Sequence, residues 1–157
     1  MALLSVNLVL NGVPERIEVV PDEMLLDTLR TRLGLLGTKT NCLQGECGVC
    51  TVLLDGQPVY ACLLLTALAE GRAVTTIEGL TRDGELHPLQ RAFVQAGAIQ
   101  CGYCTPGMLL VASALLVDTP SPTEEQIRLA LSGNLCRCTG YGRIIEAVAV
   151  AAAEQPA

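Results

Sequence analysis

Eight cysteines fall into two unlike sets of four, and each set is spaced to close around one metal site. Cys42, Cys47 and Cys50 are spaced C-x4-C-x2-C, with Cys62 downstream. Cys101 and Cys104 form a C-x2-C, and Cys136 and Cys138 a C-x-C much further along. The first order of ligands is the one that wraps a plant-type [2Fe-2S] cluster. The second offers the same number of thiolates in a different wrapping, so the two sets together read as an electron wire of two one-electron centres.

Thiolates are soft donors, and four of them complete the tetrahedral positions left on two irons. The assembled cluster is an anion that gains further negative charge on reduction, so the surrounding backbone must turn N–H dipoles toward it. Gly37, Gly45 and Gly48 are free to adopt left-handed conformations that aim amides at sulfur. Cys104 stands two residues before Pro106 and Cys138 just before Gly140, in segments that start helices, which places their cluster at positive helix ends. Zinc is the alternative, because C-x2-C knuckles build all-cysteine structural zinc sites. Against it stand the tight first loop, the uncommon C-x-C and the lack of His in either set. Disulfides require an exported chain, which nothing in the sequence announces.

At 157 residues the chain is long enough for one domain or two small ones, and it would bury roughly 70% of its unfolded surface. Half the residues are apolar but only 3% are aromatic, so packing must rely on Leu, Val, Ile and Ala, with bound clusters helping to hold each half together. A net charge of -6 excludes nucleic acid and anionic membrane as partners, since both demand basic patches. Another protein is the expected partner. The N-terminal residues lack the basic start of a signal peptide, and the longest apolar runs, Val59 to Ala69 and Met108 to Val117, are about ten residues against the roughly 20 needed to span a bilayer. A cytoplasmic protein is expected.

The pattern along the chain divides near residue 80. Ser5 to Leu10, the Asn11-Gly12 turn and Arg16 to Val20 read as a β-hairpin. Pro21-Asp22 should cap a helix from Met24 to Leu33 that Gly34 stops. A cysteine loop from Gly37 to Cys50 follows, then a second hairpin (Thr51 to Leu54, Asp55-Gly56, Pro58 to Ala61) and a closing strand from Ala73 to Ile77. Beyond the Thr81-Arg82-Asp83-Gly84 turn come four helices: Pro88 to Ala96, Gly107 to Val117, one capped by Thr123 and Gln126 and ending at Gly133, and Tyr141 to Ala153 with Ile145, Val148 and Ala152 on one face. The fold class is α+β: residues 1–80 form a small mixed sheet with one helix across it, and residues 81–157 a four-helix bundle with the cysteine pairs in its turns.

Three segments carry a family resemblance: Cys42-Leu43-Gln44-Gly45-Glu46-Cys47-Gly48-Val49-Cys50-Thr51-Val52, Gln100-Cys101-Gly102-Tyr103-Cys104-Thr105-Pro106-Gly107-Met108 and Gly133-Asn134-Leu135-Cys136-Arg137-Cys138-Thr139-Gly140-Tyr141. Over about residues 4 to 154 the chain resembles the small iron-sulfur subunit of the molybdenum hydroxylases, which include xanthine oxidase, carbon monoxide dehydrogenase and 4-hydroxybenzoyl-CoA reductase. The resemblance implies a β-grasp, plant-type ferredoxin-like domain holding the first [2Fe-2S] cluster and a four-helix domain holding the second. It also implies a large partner subunit bearing a molybdenum-pterin cofactor, where substrate chemistry takes place, and a medium FAD subunit as the usual electron outlet, often in dimers of heterotrimers. Carried over by position, Gln100 matches the glutamine that hydrogen-bonds the pterin, and Cys138 the cluster ligand closest to it. Asn41 stands where relatives commonly carry Gly before Cys42, and Asn tolerates positive φ well enough to keep the loop shape.

No nucleophile-base pair, phosphate loop or flavin segment is present. His87, the single histidine, is read as a helix cap before Pro88, and Arg137 as a charge-offsetting, partner-facing or solvated side chain. Other readings remain at this stage: a free-standing two-cluster ferredoxin, whose second cluster would be solvent-accessible, and a zinc-stabilised interaction module, which would be colourless.

Overall fold

The computed structural model describes residues 2–81 and 84–154; Arg82 and Asp83 of the expected boundary turn lie outside the described residues. Five strands form one mixed sheet, β1 (Leu4–Leu10), β2 (Val13–Val19), β3 (Thr51–Leu54), β4 (Gln57–Tyr60) and β5 (Ala73–Thr75), in the order β2-β1-β5-β3-β4. β1 pairs antiparallel with β2 and parallel with β5, and β3 pairs antiparallel with both β4 and β5. Both hairpin turns place their two central residues at positive φ, Asn11-Gly12 and Asp55-Gly56, the chemistry that two-residue hairpin loops demand.

Alternation in β1 sends Val6, Leu8 and Leu10 inward, where they meet Ile17 and Val19 of β2. Leu25, Leu26 and Leu29 close this core from across the sheet. Leu25 and Leu26 sit on α1 (Leu25–Asp27), which continues not as the expected α-helix to Leu33 but as a π-helical turn over Thr28–Arg32 that carries Leu29. The cap differs as well. Pro21 and Asp22 do not cap α1; its N-cap is Met24, whose side chain makes no capping bond, while Glu23 gathers the Val20 amide, the Thr28 hydroxyl and the Arg32 guanidinium. The closing strand stops at Thr75, and Ile77–Gly79 is a 3-10 turn; a second 3-10 turn, Thr66–Ala69, lies inside the apolar run after Cys62.

The remaining helices are α2 (Pro88–Gln95), α3 (Thr105–Asp118), α4 (Glu124–Leu131) and α5 (Gly142–Ala153). His87 caps α2, its Nδ1 accepting from the Leu89 amide while Gln90 accepts from the His87 amide, and Thr123 and Gln126 form the expected capping box on α4. α3 is apolar on every side and correspondingly buried, from Gly107 through Ala114, as such a helix must be. Its cover comes from this chain's own α2, α4, β3, β4 and the Ile77–Gly79 turn, with Val117 the exposed exception. On α5 the buried stripe is Ile144, Ile145, Ala147, Val148 and Ala151, with Ala152 at its edge.

Two apolar clusters result, one from residues 6 to 74 and one from residues 80 to 151 joined by Leu53. All four β3 residues are buried because the strand has a core on each face: Val52 and Leu54 point into the first, Leu53 into the second. This strand is the seam on which the two cysteine-bearing regions meet.

Candidate metal centres

The first loop wraps from Thr38 to Cys50 between the π-helical turn and β3. Leu43, Gly45 and Gly48 take positive φ, and the reversals turn the Gln44 and Glu46 amides toward the Cys42 sulfur at 3.5 and 3.4 Å. Hydrogen bonds from the Gln44, Cys47 and Glu46 backbone hold the Cys42 thiol down at about 6. Such a nest of amides stabilises a thiolate. Two expectations are corrected: neither Gly37 nor Asn41 is at positive φ. Gly37 is needed for space, since a Cβ there would strike Ile77 and Glu78; the left-handed residue beside Cys42 is Leu43, so position 41 makes no demand for glycine.

Cys47, Cys50 and Cys62 are buried and Cys42 is half-buried. Burial pushes the Cys50 thiol up to about 12, with Cys62 and Cys47 adding to the effect as near neighbours. The Tyr60 phenol is raised by burial and then by the charge of Cys50, Cys47, Cys42 and Cys62. All four cysteines of the first set therefore lie near Tyr60. The loop leaves the buried Thr38 hydroxyl without a partner among the described residues.

The second set lines a single cavity of about 480 Å³ with Tyr103, Arg137 and Tyr141. Cys104 is the N-cap of α3, so this cysteine sits at a positive helix end. Cys138 lies four residues ahead of α5 and is exposed with Cys101, the two sulfurs 3.5 Å apart. The Cys101 hydrogen bond raises the Cys138 thiol, and burial pushes Cys104 to about 12. Burial also acts on Cys136, but bonds from the Thr139 hydroxyl (3.1 Å) and amide (3.4 Å) outweigh it and lower that thiol. Tyr141, at φ 68°, accepts the Cys136 amide at 2.9 Å. Gln100 is exposed in the loop just before Cys101, and Arg137 is exposed while lining the cavity.

Four thiols per site with amide and hydroxyl donors aimed at sulfur are the donor set an anionic iron-sulfur core requires. Among the described residues no three His, Cys, Asp or Glu side chains are grouped to hold a single ion. Sequence reasoning missed the groups between the sites: Asn134, only 3% exposed, and Tyr60, whose hydroxyl donates to the Gly133 carbonyl at 2.9 Å. Asn134 lies inside a recognised motif, but no periodicity marks a polar side chain as buried. No helix among the described residues is long and apolar enough to cross a membrane.

Comparison with known proteins covers nearly the whole chain. A family model described as a 2Fe-2S iron-sulfur cluster binding domain matches residues 8–75, and one described as a [2Fe-2S] binding domain matches residues 76–149. The nicotinate dehydrogenase small FeS subunit of Eubacterium barkeri is 50% identical over 148 residues, 94% of each chain. The nicotine 6-hydroxylase small subunit of Paenarthrobacter nicotinovorans is 48% identical over 92% of this chain and 87% of its own. Among solved structures, quinoline 2-oxidoreductase from Pseudomonas putida 86 aligns with a TM-score of 0.93 and 46% identity, covering 98% of this chain and 96% of the other.

Proposed function

Since the chain belongs to the small iron-sulfur subunits of the molybdenum hydroxylases, we propose that Cys42, Cys47, Cys50 and Cys62 hold one [2Fe-2S] cluster and Cys101, Cys104, Cys136 and Cys138 the other. The subunit itself is an electron carrier within an oxidoreductase and has no substrate chemistry of its own. Residues 1–80 are read as a β-grasp, ferredoxin-like domain and residues 81–157 as a four-helix domain; the two apolar clusters, divided at residues 74 and 80, support that boundary.

Each [2Fe-2S] group, when bound, takes up and gives back one electron. The protein sets the conditions for that exchange. Amides of Gln44 and Glu46 and the Thr139 hydroxyl and amide donate to ligand sulfur, favouring the added negative charge. Burial of Cys47, Cys50, Cys62 and Cys104 excludes water, which limits reorganisation around the charge. Cys101 and Cys138 open the second site to the surface beside Gln100, and this exposed edge is the place for a partner's molybdenum-pterin cofactor. Cys138 is the ligand closest to that cofactor in this reading, and Gln100 its hydrogen-bonding neighbour. The half-buried Cys42 edge serves the outlet to a medium FAD subunit, in a dimer of heterotrimers in the cytoplasm.

The observation that carries the reading is the convergence of all four second-set cysteines on one cavity, with the Thr139 amide and hydroxyl directed at the Cys136 sulfur. Its test is low-temperature EPR of the anaerobically purified, dithionite-reduced complex, with iron and acid-labile sulfide counted on the same sample. Two distinct [2Fe-2S] signals and about four irons per chain are expected from eight thiolate ligands. A colourless, EPR-silent protein containing zinc overturns it.

A further inference from the structure

Between the two sites the described residues form a continuous hydrogen-bonded clasp. The Leu135 amide, one residue before Cys136, donates to the Cys47 carbonyl at 2.9 Å. Asn134 sends its side-chain amide to the Gly48 carbonyl at 2.9 Å and to the Thr51 hydroxyl at 3.4 Å. Its own carbonyl accepts from the Tyr141 hydroxyl at 3.3 Å, the same hydroxyl that accepts the Cys136 amide. Three glycines let these segments touch: a Cβ at Gly48 would collide with the Gly133 carbonyl, one at Gly107 with the Asn134 amide, and one at Gly133 with the Tyr60 hydroxyl. Cys47 of the first set also lines the cavity of the second.

We propose that Asn134 is the positioning residue that sets the spacing of the two centres, holding the first loop against the segment that leads to Cys136 so that the Cys47 carbonyl stays on the Leu135 amide. The proposal rests on the ligand sets given above. From the Cys47 sulfur to the Cys136 sulfur, this contact gives a path through covalent bonds with one hydrogen bond as its single non-covalent step; the covalent route along the chain must traverse residues 48 to 135. One electron leaves the reduced second centre, which is oxidised, and enters the first, which is reduced. No bond is made or broken and no proton is required, and the partner's molybdenum site supplies the electron. Asn134 fixes the length of this step because its amide holds the Gly48 end of the first loop against the segment leading to Cys136. Without that donor the Gly48 carbonyl is held only from within its own loop, by the Thr51 amide at 3.1 Å and the Thr51 hydroxyl at 2.6 Å, and the buried side-chain tie between the two loops is lost.

The test compares the intact complex carrying wild-type, Asn134→Leu and Tyr60→Phe chains by three readouts. These are iron content, the EPR splitting produced by spin-spin interaction between the two reduced centres, and the freeze-quench rate at which an electron reaches the first centre from the second. Asn134→Leu is expected to keep four irons and both signals while its splitting shrinks and the transfer slows severalfold; Tyr60→Phe, which loses only the Gly133 clasp, shows a smaller change of the same sign. Unchanged splitting and rate in an iron-replete Asn134→Leu complex overturn the proposal. If that variant loses iron, Tyr60→Phe decides by the same two readouts. Fewer than two signals in the wild-type complex overturn the ligand reading instead.

Discussion

At the residue scale, the cysteines are the least of what makes these sites. Gly48 illustrates why. Its φ of 70° and the collision awaiting any Cβ mean that Gly48→Ala suffers twice: about 1–2 kcal/mol for a left-handed backbone, and a further packing cost against the Gly133 carbonyl that cannot move freely. Denaturant unfolding of the cluster-loaded chain should show a loss exceeding the backbone figure, with the visible absorbance of the first centre bleaching earliest. Leu43 shows the converse. A leucine at φ 57° breaks the rule that such positions fall to Gly or Asn, and the sequence offered no sign of it. The two amides it turns onto Cys42 explain the arrangement, since hydrogen bonds to an anionic sulfur offset the local backbone cost.

At the scale of elements, the sequence was a good guide wherever a local rule was sufficient. Hairpin turns, the Thr123 capping box and the His87 cap follow from contacts within a few residues. The stretch after Pro21 does not. Its leucines recur at helical spacing, yet the chain widens into a π-helical turn because Glu23 reaches across it to Thr28 and Arg32, and Thr28 meets the buried Thr66 hydroxyl at 2.7 Å. The Arg32 hydrogen bond, with help from Thr28 and Val20 against opposing burial, keeps the Glu23 carboxyl below its ordinary 4.5. A carboxylate with a lowered folded-state pKa contributes its full stability above the unfolded value and loses it as pH falls through the folded one. Glu23→Ala should therefore destabilise the chain at neutral pH by about 1 kcal/mol or more, the net worth of the Thr28 bond. The gap from wild type should close in acid, as read by urea denaturation across the pH range.

For the whole molecule, β3 and the Asn134 clasp join two thin cores whose aromatic content is 3% of the chain. Cores of this size gain much of their order from bound metal, because ligand sites absent in the unfolded chain convert binding energy into folding energy. Chelating the iron under reducing conditions should lower the melting temperature by more than about 10 °C, given that roughly 2–4 °C accompanies each kcal/mol in a chain of this size. Hydrogen exchange should show protection lost in residues 41–50 and 134–141 together, since the clasp ties those segments to one another. Loss confined to one segment would show that the two sites are energetically independent.

The two cysteine spacings, the mixed sheet followed by helices, and membership of the molybdenum hydroxylase small subunits were all determined by the sequence itself. Each rests on residue identity and short-range spacing, which are one-dimensional facts. The clasp between the centres, the π-helical turn, the left-handed Leu43 and the burial of β3 on both faces were decided only in three dimensions. They depend on which carbonyl lies opposite which amide after residues some 85 positions apart have met, as Asn134 meets Gly48 with a separation of 86. Polar partners buried in this way carry no periodicity, because their positions are set by unsatisfied groups elsewhere in the fold.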